Sequence, residues 1–399
     1  LNKKLKSIAL KEKEVVDLLI KLVKAKSYPG IPNQEAEVVE VLDRYLREQG
    51  IKASIIEVKD GRPNLIASLQ GPNPGPHLLF CGHTDTVPPN LQGSDDQFSP
   101  KVAKGRLFGR GTADMKGALA SMAVAMGILR DNDLLQKGKV SFAAVIDEEM
   151  ASLGVEDLIL KGFRADGAVV GEPTCNRIAI GHKGLEWLQI DFLGRAAHGG
   201  TPQSGINAIS AAAHFIFLVE KELIPSFKKR KDPILGYPAI NMGTISGGDQ
   251  PSTVAAQCTL KLDRRWVSTE TIEQVFYDIE NLLERVRKER PGLKTKVSRV
   301  PGGMATMIHG PLTIDKRHPL VKAASKALRD CGMKRASYTV FPAWTDGALL
   351  SREAKIPTII WGPGELNYAH SPQESIRLEE VIMAVKLYTL AALHFTGSE

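Results

Sequence analysis

Four cysteines in 399 residues, Cys81, Cys175, Cys258 and Cys331, are too few and too scattered for a secreted disulfide scaffold, and no C-x-x-C pair is present to hold a structural zinc. Buried free thiols in a reducing compartment are the expectation. No stretch approaches the ~18 consecutive apolar residues of a membrane span. The Lys-rich, amphipathic start of the chain lacks the apolar core and cleavage site of a secretory signal. Internal repeats and low-complexity tracts are absent as well. These absences point to a soluble, cytoplasmic protein with no membrane partner.

What is present is ordinary globular material, 43% hydrophobic and 24% charged, enough for two domains or one large domain with an insertion. The formal net charge of +7 is dispersed. The one dense basic run, Lys228–Lys231, is followed by Asp232-Pro233 and reads as a solvated loop rather than a nucleic-acid patch. A mild basic excess suits anionic substrates.

Apolar spacing predicts helices over residues 8–26 and from a cap at Asn33 to Gly50. Strands follow at 51–58, 64–69 and 77–81. A small-residue helix (115–130) and strands at 140–146 and 168–170 come next. Such alternation indicates an α/β domain with a mostly parallel sheet. From Leu185 the pattern changes to strand 185–192, helix 207–223, strands 239–245 and 253–262, helix 271–289 and strand 293–300. That β-α-β-β-α-β order is the ferredoxin-like α+β unit. Residues 183–302 are therefore expected to be an insertion, and 1–182 with 303–399 a discontinuous first domain, ending in helix 319–331, strand 358–361 and helix 378–393.

Chemistry-bearing motifs follow the strands of the first domain, where active sites of open α/β sheets gather. They are Gly82-His83-Thr84-Asp85, Gly111–Gly117 with Asp114, Asp147-Glu148-Glu149, Gly171-Glu172-Pro173 and, later, Ala369-His370-Ser371-Pro372. Imidazole nitrogen and carboxylate oxygen form the usual mixed ligand set for zinc. Two histidines and three carboxylates suffice for two ions sharing one bridging acid, with a further acid left for proton transfer. Asp85, two residues beyond His83, is placed to orient it. Taken singly, each motif has a plainer reading as a loop turn, a helix-start acidic cluster or a cap.

In this order the motifs resemble the M20 metallopeptidases, in the branch of acetylornithine deacetylase, succinyl-diaminopimelate desuccinylase, carboxypeptidase G2 and aminoacylase. The resemblance rests on GHTDTVP (82–88), GRGTADMKG (109–117), DEE (147–149), GEPT (171–174), GRAAHGGTPQSGINAI (194–209), NMGTISGG (241–248), LDRRW (262–266) and AHSPQESI (369–376). It implies two Zn2+ per subunit, with Co2+ or Mn2+ as substitutes. His83 and Glu172 would hold one, Glu149 and His370 the other, and Asp114 would bridge them. It implies Glu148 as general base, Asp85 as the residue orienting His83, and His198 as an oxyanion donor reaching the neighbouring subunit of a homodimer. The insertion would be both lid and dimerisation surface. Arg265 and Asn241 match substrate-contacting lid positions, although Arg265 has a structural alternative in pairing with Asp263, and Arg264 lies beside it. Thr345-Asp346 and Gly362 match segments near the substrate pocket. The other histidines, His77, His182, His214, His309, His318 and His394, read as structural.

The implied reaction is hydrolysis of the amide bond of an N-acyl amino acid. Dipeptidase or carboxypeptidase action on small peptides is the rival within hydrolases, and an inactive metal-dependent binding protein the rival outside them. Glu rather than Asp at position 172 leans toward the deacylase and carboxypeptidase side.

Overall fold

Apolar residues at helical spacing bury one face of α1 (Glu12–Lys24) through Val15, Leu18, Leu19, Leu22 and Val23. Helix α2 (Ala36–Glu48) does the same through Val38, Val39, Leu42 and Leu46. The computed structural model describes residues 11–90, 96–301, 307–333 and 337–398. The expected helix start at Ile8 therefore lies outside the described residues. Asn33 does not cap α2. It sits in a left-handed conformation (φ 52°), and its carbonyl accepts the Ala36 N–H at 2.7 Å. Gly50, at φ 65°, ends the helix as its backbone freedom allows.

Strands β1 (Ala53–Lys59), β2 (Arg62–Gln70) and β3 (Asn73–His83) lead to α3 (Gly117–Asp131). Helix α3 is buried on every side, as its unbroken run of small and apolar residues requires. After it come β4 (Lys137–Val145), α4 (Leu153–Leu160), β5 (Gly167–Val170) and β6 (Ile178–His182).

The chain then enters a second compact unit, His182–Thr313 with Pro342–Trp344. It contains β7 (Gly184–Leu193), α5 (Ala208–Leu218), β8 (Ala239–Gly247), β9 (Gln257–Trp266), α6 (Ile272–Lys288) and β10 (Lys294–Arg299). Four of its strands among the described residues form one sheet ordered β8-β9-β7-β10, each pair antiparallel. One sheet face supplies Leu188, Ile190, Phe192, Leu260 and Leu262 to a core closed by Phe215 of α5 and Ile279 and Leu283 of α6. The expected boundary at 302/303 falls in residues 302–306, outside the described residues.

The first unit resumes with α7 (Pro319–Asp330), β11 (Tyr338–Phe341), α8 (Gly347–Arg352), β12 (Thr358–Ile360) and α9 (Leu378–Thr396). Its sheet runs β1-β2-β4-β3-β5-β12-β6, with β11 also on β6. The four central strands, β4, β3, β5 and β12, are parallel. Antiparallel strands flank them on both sides. Helix α9 packs on α3 and α7.

Two smaller expectations change. Lys228–Arg230 lie in a short helical turn, and Arg230 pairs with Glu270 and Asp278, so the basic run is partly neutralised rather than a free loop. Cys81 and Cys258 are buried, but Cys175 is exposed and Cys331 half-buried.

Candidate metal centre

Parallel pairing brings the carboxyl ends of the central strands to one edge. His83 ends β3 opposite Val145 of β4, Cys81 pairs with Val170 of β5, and Ile360 of β12 pairs with the same Val170. The turns that leave this edge carry His83–Asp85, Asp147–Glu149, Glu172 and Gly362. Asp114 comes from the irregular segment Thr112–Lys116, where Asp114 and Met115 depart from helical angles and the peptide between them is cis.

Asp114 stands between the two histidines. Its Oδ1 is 3.1 Å from His83 Nε2, and its Oδ2 is 3.2 Å from His370 Nε2. Each side then adds one more acid. Glu172 Oε1 lies 4.0 Å from His83 Nε2, and Glu149 Oε1 lies 3.0 Å from His370 Nε2. One donor atom from each of His83, Asp114 and Glu149 falls within a common 4.8 Å. Asp147 (φ 70°) and His370 (φ 61°) both lie in the left-handed region, which Asp and His enter more readily than most non-glycine residues.

The electrostatics are those of a crowded acidic site. Burial opposes a charge on His83, but Asp114, Asp85 and Glu172 outweigh it and hold the imidazole well above its usual range. Asp114 and Glu149 raise His370 to about 10. Burial and then Glu172 push Glu148 well up, and burial and then Asp114 do the same to Glu172. Asp114 moves the other way, because His370 and His83 override its burial.

The residues fit divalent ions. A tetrahedral zinc with ligands ~2.0–2.1 Å away spaces neighbouring donors by roughly 3.3 Å, close to the separations around Asp114. Glu172 Oε1 is buried with no hydrogen-bond partner among the described residues, a costly state that a cation would relieve.

A ring of further residues fixes these groups. His83 Nδ1 lies 3.0 Å from the backbone carbonyl of Asp85 and 3.6 Å from its carboxylate. The carboxylate instead accepts the amide N–H groups of Glu148 and Glu149, at 3.2 and 3.0 Å. Asp85 thus ties the His83 strand end to the Glu148-Glu149 turn. Arg62 holds the start of that turn through Asp147 at 2.5 Å and is itself gripped by Glu35. Glu374 accepts the N–H groups of Ala113 and Asp114, at 3.1 and 3.3 Å.

Of the remaining expected residues, Thr345 is buried, and its hydroxyl accepts the Gly347 N–H at 3.1 Å. Gly362 acts through its backbone. A Cβ there would stand 2.2 Å from the Gly171 carbonyl oxygen, so the glycine lets β12 close against the loop carrying Glu172. Gly362→Ala is expected to destabilise the protein by about 1–3 kcal/mol, read as a fall in the midpoint of chemical unfolding.

His198, Asn241 and Arg265 belong to the second unit. His198 is exposed, its Nδ1 accepting the Gly200 N–H at 3.0 Å. Asn241 lies on edge strand β8 opposite Asp263. Arg265 grips Asp263 through Nε and Nη2 at 2.8 and 3.0 Å, the structural alternative open at the sequence level. Arg264 is buried against Glu270.

Sequence reasoning missed Arg62, Glu35, Arg110 and Glu374, and it named Asp346 only as part of a segment. Asp346 is buried, and burial outweighs the opposing contact with Ser152 and raises it to about 7. Its one signal was adjacency to Thr345.

The sequence profile of peptidase family M20/M25/M40 matches residues 79–394. A probable succinyl-diaminopimelate desuccinylase of Staphylococcus epidermidis is 27% identical, over 95% of this chain and 97% of its own length. An acetylornithine deacetylase of Proteus mirabilis is 30% identical, over 85% of this chain and 84% of its own. Among solved structures, a dinuclear metal-binding peptidase of family M20 from Bacillus subtilis superimposes with a TM-score of 0.73 at 17% identity, covering 98% of this chain and 100% of the other.

Proposed function

This chain belongs to peptidase family M20/M25/M40, and from that premise we propose that it hydrolyses the amide bond of an N-acyl amino acid of the deacetylase or desuccinylase type. The observation that carries the reading is Asp114, whose two oxygens face His83 on one side and His370 on the other. His83, Glu172 and Asp114 would hold one zinc ion, and Glu149, His370 and Asp114 a second, with Co2+ or Mn2+ as substitutes. When bound, such ions supply Lewis acidity toward the scissile carbonyl and acidify a water.

The chain's own groups do the rest. Glu148 takes the proton of the attacking water and delivers it to the departing nitrogen. Asp85 holds the Glu148-Glu149 turn through both amides. Glu35 and Arg62 hold it through Asp147. His198 donates to the oxyanion of the tetrahedral intermediate. Arg265 is a carboxylate clamp only if a substrate carboxylate replaces Asp263 on its fork. Asn241, Thr345 and Gly362 are assigned to the surroundings of the substrate. The setting proposed is cytoplasmic.

The second unit is proposed to be lid and dimerisation surface. Strand β8 is an edge strand, and Ile209, Phe217 and Ile245 are exposed at 41%, 53% and 50%. An unpaired edge beside exposed apolar groups favours pairing with a second copy. His198 then acts on the partner's site. Equal mixing of Glu148→Ala and His198→Ala subunits should restore activity to about a quarter of wild type, because half the dimers carry one site with both residues intact. No recovery would place His198 on its own subunit's site.

Peptidase action is the second reading, favoured by the Bacillus subtilis structure. The experiment that decides is a panel of N-acetyl and N-succinyl amino acids beside unblocked dipeptides, run on metal-reconstituted protein. Turnover of the acylated set supports the proposal. Cleavage of dipeptides alone replaces it with a peptidase, and no turnover with both ions bound replaces it with a binding protein.

A further inference from the structure

Behind Asp114 lies a second carboxylate. Glu374 is 3% exposed, and its Oε1 accepts the backbone N–H groups of both Ala113 and Asp114. Its Oε2 takes a hydrogen bond from Arg110 Nη1 at 2.5 Å. Arg110 is 1% exposed, donates to the Pro88 carbonyl at 3.3 Å and also binds Asn90 Oδ1. Glu374 stands four residues after His370, and the backbone between them is tied to the Asp114 segment at a further point, because the Gly109 N–H is donated to the Glu374 carbonyl at 3.0 Å. One buried ion pair therefore joins three stretches: the end of the Gly82–Pro88 motif, the irregular segment carrying Asp114, and the loop carrying His370.

We propose that Glu374 is a positioning residue, which with Arg110 sets Asp114 midway between the two histidines and so fixes the spacing of both metal positions. The inference rests on the proposed reading of Asp114 as the shared ligand. The argument is geometric. Thr112–Lys116 is not a regular helix, so helical hydrogen bonding does not determine where Asp114 points. Its own amide and the preceding one are instead taken by a single acceptor. That acceptor is charged, which makes both bonds strong, and its other oxygen is held by one nitrogen of Arg110 while the second nitrogen of the same planar guanidinium is anchored on Pro88 and Asn90. A ligand aimed by its backbone moves when that acceptor moves. The same anchor moves the His370 loop, so the two metal positions are set together.

The test is titration of the metal-free, full-length protein with Zn2+ and Co2+, comparing wild type, Asp114→Asn, Glu374→Gln and Arg110→Lys. Thermal unfolding of each metal-free form is followed alongside. Glu374→Gln keeps shape but turns an amide N–H2 toward Arg110 or toward the two backbone donors. It is expected to weaken metal affinity about 10- to 100-fold and to alter the visible absorption of the Co2+ form, with a metal-free melting temperature close to wild type. Arg110→Lys keeps a cation but loses the fork, and a smaller loss is expected. Wild-type affinity and spectrum in both variants would overturn the inference. So would a Glu374→Gln chain that does not fold while Arg110→Lys binds metal as wild type does. If wild type fails to bind two ions, or Asp114→Asn binds them unchanged, the proposed metal centre itself fails, an outcome distinct from failure of the Glu374 assignment.

Discussion

Glu148→Ala is expected to lower kcat by about 10^2–10^4, the usual contribution of a positioned general acid–base, while metal content stays that of wild type. The first half follows from location. Glu148 lies in the same turn as Glu149, and burial together with Glu172 holds its carboxyl well above the usual range. A divalent ion beside it favours the charged form and draws it back, toward the range where a base both accepts and returns a proton at neutral pH. The second half follows from what holds the turn. Asp85 grips the backbone N–H groups of residues 148 and 149, and Arg62 grips Asp147. None of these bonds uses the Glu148 side chain, so its loss leaves Glu149 in place against His370. Steady-state kinetics with elemental analysis of the same sample checks both halves. Near-wild-type turnover would remove Glu148 from the mechanism, and lost metal would make it a ligand.

The sequence was most informative where chemistry depends on residue type close to a strand end. His83, Asp114, Glu149, Glu172 and His370 were all legible as motifs, and the structure brings them together. The alternation of strands and helices, the buried α3 and the β-α-β-β-α-β order were legible from periodicity, to within a few residues at most ends. The residues that aim the ligands were not legible. Arg62 and Glu35 look like any surface charge until folding pairs them, Arg110 was in view within GRGTADMKG with nothing to mark its partner, and the pairing of charges distant in sequence is a long-range event that no local pattern records. Glu374 was in view within AHSPQESI, but its role depends on backbone amides 261 and 260 residues away. Arg265 and Arg264 were indistinguishable by type, and only strand alternation, which turns Arg264 to the core face and Arg265 to the other, separates them. Asn33 misled because Asn serves both as helix cap and as left-handed turn residue, and here the turn won.

Removal of the metals is expected to abolish turnover and to leave a protein whose stability falls as pH rises from about 5 to 9. Turnover should return on adding Zn2+, Co2+ or Mn2+. The sign follows from the shifts around Asp114. Glu148, Glu149, Glu172 and Asp346 have carboxyls raised in the folded state, first by burial and then, in part, by one another. Between the unfolded value near 4 and the raised folded value, the native state binds more protons than the unfolded one, so stability falls as pH climbs through that window. His370, raised to about 10 by Asp114 and Glu149, adds to the slope, because its contribution is complete below its unfolded value near 6.5 and is lost as pH rises toward 10. Asp114 opposes, since its folded carboxyl lies below the ordinary range, but its contribution is lost only under strong acid. Lys116, lowered to about 7 by burial, opposes above that pH, and His77, His182 and His309, lowered to about 4 by burial, oppose only at the acid end of the window. Divalent cations reverse the balance. They neutralise the carboxylates without protons, and they replace the histidine protons that the metal-free site retains. The metal-free melting temperature should therefore drop by upwards of about 5 °C between pH 5 and pH 8, whereas the metal-loaded protein should show a much flatter profile over the same range. Calorimetry of both forms across that range is the check. A metal-free profile as flat as the loaded one would mean that the acids around Asp114 are not crowded enough to require a cation.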